Sequence, residues 1–261
     1  PKNIPDGKFD PLTVEPEWML LSYHKTACAS SSRSGFDPQN AFDESIKSAW
    51  SATSGNSGEW LSVDLGKEYN VEAVQVNFAD CFTKKKRAPM KEYGGTFTQE
   101  RYIEEELVRY ECRIEYSSNG TDWAPYEETQ NTVFPHKLIP RRARARYIRI
   151  VFAGAPYGQN FSISGLRVFG LDNNKKPSAV SGENAERTSA TEARLSWNSQ
   201  NDAMGYCIRL GIAPDKLYNS ILLYGQNDYT VTFLNKETEK YYFAVDSFNE
   251  SGITKGSINE F

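Results

Sequence analysis

The sequence predicts an all-β protein folded as two successive sandwiches. Short runs of alternating polarity recur along the chain, separated by turn-forming residues, and no helical-period stretch stands between them. Aromatic side chains make up 13% of the residues, with 15 Tyr and 14 Phe, and flat rings suit pleated, half-buried surfaces. A length of 261 residues fits two ordinary domains, and a 39% hydrophobic content is enough to fill two cores.

The elements follow in order. Residues 1–17 are rich in Pro, Asp and Lys, as in a linker. An apolar run follows at residues 18–23. Residues 60–66 read as a strand closed by Gly66. Residues 71–78 alternate, and Glu72, Val74, Val76 and Phe78 form the more apolar set, which is expected to face inward. Residues 83–108 break the rhythm and read as a long excursion, with one helical turn near 103–108. Strands resume at 110–117, and Ser118-Asn119-Gly120 is a turn, since Asn-Gly tolerates positive φ. Segments 147–152 and 163–169 complete the first set. The polar segment 172–177 marks the domain boundary. Beyond it, 193–197, 205–210 and 241–245 are strand-like, the last leading into 248–252, and no internal repeat is visible.

Composition excludes several functions. The net charge is −4, whereas nucleic-acid binders carry a basic balance or face. Two basic runs, Lys84 to Arg87 and Arg141 to Arg149, read as a polar loop and as the solvent side of a strand. Four cysteines with no CxxC pair, and two histidines, His24 and His136, argue against a zinc site. His24 falls in the linker region and His136 reads as a loop residue. Cys112 and Cys207 read as small core residues, and a bridge between Cys28 and Cys81 is left open. No apolar run is long enough to span a bilayer. The chain begins at Pro1 and reads as an excised fragment, with its targeting signal elsewhere.

Three resemblances to known families are carried by particular residues. Ala29-Ser30-Ser31, Ala41-Phe42-Asp43, Ser48-Ala49-Trp50-Ser51 and Glu59 through Gly66 succeed one another as in the factor V/VIII type C (discoidin) family, a galactose-binding-like jelly-roll sandwich akin to family 32 carbohydrate-binding modules. Tyr116 to Gly120 with Trp123, Ala145 to Arg149, and Ile163 to Gly170 fit the same pattern. Trp197, Tyr206, Leu234 and Tyr241 resemble the strand-B tryptophan, the strand-C tyrosine and the tyrosine corner of a fibronectin type III domain, an immunoglobulin-like sandwich. Trp18 to Tyr23, Pro135-His136, Ala213 to Tyr218 and Phe248 to Gly252 make the whole chain similar to the C-terminal region of bacterial family 43 glycoside hydrolases. The implied domains are 1–24, the tail of a preceding catalytic domain; 25–171, discoidin-like; and 177–261, fibronectin type III.

These resemblances imply a non-catalytic accessory region of a polysaccharide-degrading enzyme that binds carbohydrate and targets its parent. The alternative is a pair of structural domains that buttress the catalytic propeller without a ligand. The implied partners are a plant cell-wall polysaccharide or oligosaccharide and the N-terminal catalytic propeller of the same protein, with no nucleic acid and no membrane insertion. The implied location is secreted, periplasmic or cell-surface, in a bacterium. The family patterns bury Trp50, Trp60, Trp123 and Trp197, so sugar stacking falls to loop residues. Tyr157, with Asn160 or Gln159 to bond hydroxyls, is the first candidate, followed by Arg33, Phe36 and Tyr93; Phe97 and Tyr102 also lie in the excursion. The resemblance also implies a structural Ca²⁺ held by Asp43 and Ser48, though Glu44-Ser45 and Gly165 depart from the usual ligand pattern. Asp43 as a simple turn cap is the competing reading. The acidic runs Glu104-Glu105-Glu106 and Glu127-Glu128 read as solvated faces rather than a glycosidase pair.

Overall fold

The computed structural model describes residues 18–79, 110–132, 136–155, 158–236, 238 and 240–261. The protein is all-β: among the described residues the helical content is a 3-10 turn at Pro38–Ala41 and a 3-10 position at Gly158. Two compact units are present, Leu20–Gly170 and Leu171–Phe261.

The first unit contains β1 (Met19–Leu20), β2 (Thr26–Ala29), β3 (Trp50–Ser51), β4 (Trp60–Phe78), β5 (Tyr110–Ser117), β6 (Ala124–Thr132), β7 (His136–Gly154) and β8 (Ser162–Leu171). Strand order is β1-β8-β4-β7-β5-β6, with β2 on β4 and β3 on β8. The two 19-residue strands β4 and β7 run antiparallel along most of their length. Their register slips between Asp64 and Tyr69 and between Val71 and Ala73. Such irregularities bend a strand pair and raise its twist.

Period two explains the core. Leu61, Val63 and Leu65 are fully buried, as are Ile148 and Ile150 across the ladder. Each such side chain contributes roughly 2 kcal/mol of burial free energy. Trp50 is also fully buried, and its indole N–H donates to the Ser31 carbonyl at 3.1 Å. Phe152 and Phe161 stack with centroids 4.2 Å apart.

Several expectations are corrected. Val74, Val76 and Phe78 are buried as expected, but so are Val71 and Ala73, while Glu72 pairs with Arg142 at the surface. The slip beside Ala73 changes the parity of the inward face. The first unit begins before residue 25: Leu21 is fully buried and donates its N–H to Val168, and Ser22 is buried too. His136 opens β7 rather than sitting in a loop. Trp60 and Trp123 are half-buried rather than core. The excursion 83–108, with its expected helical turn, Tyr93, Phe97 and Tyr102, lies outside the described residues, as do Cys81 and the basic run Lys84 to Arg87.

The second unit contains β9 (Ser181–Arg187), β10 (Ala193–Asn198), β11 (Gly205–Gly211), β12 (Asn219–Tyr224), β13 (Asp228–Val231), β14 (Tyr242–Asn249), β15 (Gly252–Thr254) and β16 (Asn259–Glu260). Sheet orders are β13-β10-β9 and β12-β11-β14-β15, with β16 on β14. Trp197 and Tyr206 meet edge to face at 5.3 Å within a core that includes Leu195, Ile208, Phe243 and Val245. The Tyr241 hydroxyl accepts the Asn235 N–H at 2.7 Å, closing a tyrosine corner beside the buried Leu234. Cys207 is only partly buried, because it shares a face with its partner Asp246 rather than with Ile208.

Candidate binding surface at a loop end of the first unit

Residues 30–36, 52–59, 152–155 and 158–161 converge at one end of the first unit. Backbone bonds tie them. Arg33 donates its N–H to Ser51 at 2.8 Å, Ser51 donates to Phe36 at 3.2 Å, and Ala52 donates to Phe161 at 2.8 Å. Gly58 donates to Phe152 at 2.8 Å. Gly55 lies so close to the Gln159 carbonyl that any Cβ there would collide with backbone, which is why this crossing requires glycine.

Glu59 fastens two of these segments. Its carboxylate accepts the hydroxyl protons of Ser30, of Ser31 at 2.7 Å and of Ser54 at 2.7 Å. Each serine oxygen in turn accepts a backbone N–H: Trp60 onto Ser30 at 2.9 Å, Thr53 onto Ser31 at 3.1 Å and Asn56 onto Ser54 at 3.2 Å. Such chains polarise one another. Partial burial pushes the Glu59 carboxyl upward, but the hydroxyls of Ser30, Ser54 and Ser31 and the Ser54 N–H outweigh it, so the group sits below the usual carboxylate range. A carboxylate held ionised in this way is a positional anchor and a poor general acid.

Among the expected ligand residues, Arg33 is exposed at this end and Phe36 is half-buried beside it. Asn160 is corrected. It is 2% exposed, and its amide donates to the Ala52 carbonyl at 2.8 Å, so it braces the loop instead of meeting solvent. Gln159 is likewise buried and bonds to the Tyr110 hydroxyl. Tyr157 and Tyr93 lie outside the described residues. Sequence reasoning passed over Glu59 as a site residue. The available signal was a glutamate following two hydroxyl-rich segments, 30–34 and 53–57.

Asp43 and Ser48 do come together. The Asp43 carboxylate accepts the Ser45 N–H at 2.9 Å and the Ser48 hydroxyl at 2.6 Å. Glu44 adopts a φ of 58° and pairs with Arg167 at 2.6 Å. Calcium takes six to eight oxygen ligands. Here the two expected side-chain donors bond each other and the neighbouring carboxylate is committed to an arginine. The geometry fits a turn cap.

The outer face of the same unit is a charged and aromatic ladder. Arg149 lies 4.0 Å from the Trp123 ring centroid and bonds Glu115 at 2.8 Å, and Arg146 forms a two-pronged pair with Asp64, both bonds 2.8 Å. Cys28, an exposed free cysteine, lies opposite Ser62 on this face.

A family model described as the F5/8 type C domain matches residues 26–99. Among curated proteins no relative matches the chain. Several solved structures are similar over just over half of it. A chitosan-binding module from a chitosanase/glucanase of Paenibacillus sp. IK-5 shares 22% identity, covering 58% of this chain and 99% of that one, with a TM-score of 0.43. A Streptococcus pneumoniae fucose binding module shares 18% identity over 58% and 95%, with a TM-score of 0.40. A CBM32 module of Clostridium perfringens, in complex with GlcNAc-α-1,4-galactose, shares 14% identity over 60% and 97%, with a TM-score of 0.41.

Proposed function

We propose that the first unit is a non-catalytic carbohydrate-binding module and that its loop end, with Arg33 and Phe36 on the segment fastened by Glu59, receives the sugar. The observation that carries this reading is the cross-tied loop cluster: a polar, hydroxyl-rich loop end held in place before any ligand arrives, which lowers the ordering cost of binding. Arginine donates to vicinal hydroxyls and the Phe36 ring offers an apolar edge. The F5/8 type C match over residues 26–99 supports the same assignment. Tyr157 completes the expected set as the stacking residue.

The second unit we read as a fibronectin type III spacer, on its Trp197–Tyr206 core and Tyr241 corner. The finer reading is an accessory region of a secreted or cell-surface family 43 glycoside hydrolase, whose catalytic propeller precedes this chain. A module of this kind holds an enzyme near its polymer and raises the local substrate concentration through a second weak site. The rival reading, two ligand-free buttress domains, is favoured by one observation: Gln159 and Asn160 turn inward, which removes two expected hydroxyl partners.

Titration of the 261-residue chain against plant cell-wall oligosaccharides separates the two. Binding is expected in the micromolar to millimolar range, weakened at least about tenfold (about 1.4 kcal/mol) by Arg33→Ala and Tyr157→Ala with unchanged melting. Absence of binding to every glycan tested, at millimolar concentration, would leave the buttress.

A further inference from the structure

We propose that residues 172–178 are a latched strap of the second unit and not a flexible linker, and that Asn249 is the principal latch. The inference is independent of carbohydrate binding.

Composition points the other way. Asp172-Asn173-Asn174-Lys175-Lys176-Pro177 has the polar, charged make-up of a mobile connector. The segment joins no strand, since β8 ends at Leu171 and β9 begins at Ser181. Ladder bonds therefore do not hold it.

Side chains of the second unit hold it instead. Asn249 Nδ2 donates to the Lys175 carbonyl at 3.1 Å, Thr254 Oγ1 to the Pro177 carbonyl at 2.6 Å and Ser247 Oγ to the Ser178 carbonyl at 2.7 Å. Ser178 in turn donates its N–H at 2.9 Å and its O–H at 2.8 Å to one oxygen of the Asp202 carboxylate. Asp172 donates its N–H to the Glu250 carbonyl at 2.8 Å, so the strap is held at both ends and between them.

The end of one hairpin supplies most of these partners. β14 and β15 pair Ser247 with Thr254 and Asn249 with Gly252. Gly252 has a φ of 129°, and the aliphatic stem of Lys176 lies 2.9–3.4 Å from where a Cβ would stand. Both the backbone conformation and the close approach of the strap call for glycine at this turn. Pro177 is buried, and its ring fixes φ, which lowers the chain entropy lost when the strap is seated.

Asn249 is the principal latch because one side chain serves several segments. Its Nδ2 also donates to the Asp202 carbonyl at 3.1 Å, and its Oδ1 accepts the Ser251 N–H at 2.8 Å. The strap, the β14–β15 turn and the segment carrying Asp202 meet there. A hold built from side chains can be undone one residue at a time with the strand ladders left intact. An added strand could not be released in that way.

Limited digestion of the full 261-residue chain with trypsin, read by mass, tests this. Exposed polar segments are preferred sites of nicking. Asn173 to Lys176 are exposed, so exposure alone predicts fast cleavage after Lys175; Pro177 closes the bond after Lys176. The latch predicts the opposite, a Lys175–Lys176 bond that resists cleavage in the folded parent. In Asn249→Ala, and separately in Thr254→Val, which removes the hydroxyl and keeps the branched shape, cleavage there is expected to rise about tenfold as the open form gains population. Arg209, inside β11, reports unfolding of the whole unit, and cleavage after it is expected to stay at the parent's rate. Rapid cleavage after Lys175 in the folded parent overturns the proposal. So does a rate unchanged in both variants, or one that rises only in step with cleavage after Arg209.

Discussion

Asp246 in the second unit and Glu59 in the first are each held by several donors, and by opposite means. In the second unit Asp246 is 1% exposed on the non-core face of β14. Arg209 grips it with bonds of 2.7 and 2.9 Å, Lys255 adds one at 2.9 Å and the Gly256 N–H another at 2.9 Å. In the first unit Glu59 is only partly buried, and three serine hydroxyls hold it without a cation. Fixed positive charge compensates the deeply buried group, while rotatable hydroxyls suffice for the half-solvated one. The first arrangement pins a segment, residues 255–256, onto a sheet. The second ties loops that remain near water, as a ligand-facing surface requires.

Removing the deeper anchor breaks the comparison hardest. Asp246→Ala strips the partner from Arg209 and Lys255 and leaves the Gly256 N–H unpaired, at a cost of about 3 kcal/mol, the low end for a broken buried pair because both cations reach solvent. Hydrogen exchange of β11 and β14 amides is expected to accelerate accordingly, with the first unit's amides unaffected; protection unchanged in β14 would show that segment 255–256 is not held through Asp246. Burial raises the Asp246 carboxyl, but the Arg209 bonds, the Gly256 N–H and Lys255 outweigh it and leave its pKa lowered. The stability it contributes is therefore full above the unfolded value of about 3.9. It disappears as pH falls through the lower folded value. Asp246→Asn should flatten the acid limb of the second unit's stability profile.

Glu59 is the intermediate case. Glu59→Ala frees three hydroxyls that can rotate to water, so the loss is expected to be about 1–2 kcal/mol, confined to the first unit. Its sharper signature is functional. With the segments 30–36 and 53–58 untied, sugar affinity should fall more than stability does, and a dissociation constant unchanged in Glu59→Ala would separate the clamp from the binding surface. Because the folded pKa is again lowered, this contribution also holds above about pH 4.3 and fades on acidification.

The same contrast explains what could be read from sequence. The strand at 60–66 was legible, though not which of its faces is buried; its alternation accounts for Leu61, Val63 and Leu65 in the core and Trp60 on the other side, and the family pattern, not the period, suggested the tryptophan's burial. Alternation also fixed Val74, Val76 and Phe78. It failed at Val71 and Ala73 because the register slip has no local sequence mark beyond Pro140 across the ladder. In the second unit Trp197, Tyr206, Leu234 and Tyr241 occupy the expected core and corner, since buried aromatics with polar tips have few alternative places. The loop end was harder. Asn160 and Gln159 look solvent-seeking in isolation, and their burial follows from the close crossing at Gly55, a tertiary contact over 104 positions that alternation cannot register.

Asp43 gives the smallest expected effect and the cleanest control. Its carboxylate resembles Glu59 in meeting a serine hydroxyl and a backbone N–H, but both donors lie within five residues, so it ties a turn to itself and no two loops together. Local caps of this kind are worth about 1 kcal/mol, so Asp43→Ala should lower first-unit stability by about that much. If the turn rests on these bonds, a strong chelator leaves the melting temperature where it was, and added Ca²⁺ does not raise it. A chelator-induced drop lost in Asp43→Ala would instead place an ion among the stabilising elements, since a ligand bound only to the folded state stabilises by RT ln(1 + [L]/Kd). That turn would then be anchored by a cation, as Asp246 is, while Glu59 stays held by hydroxyls.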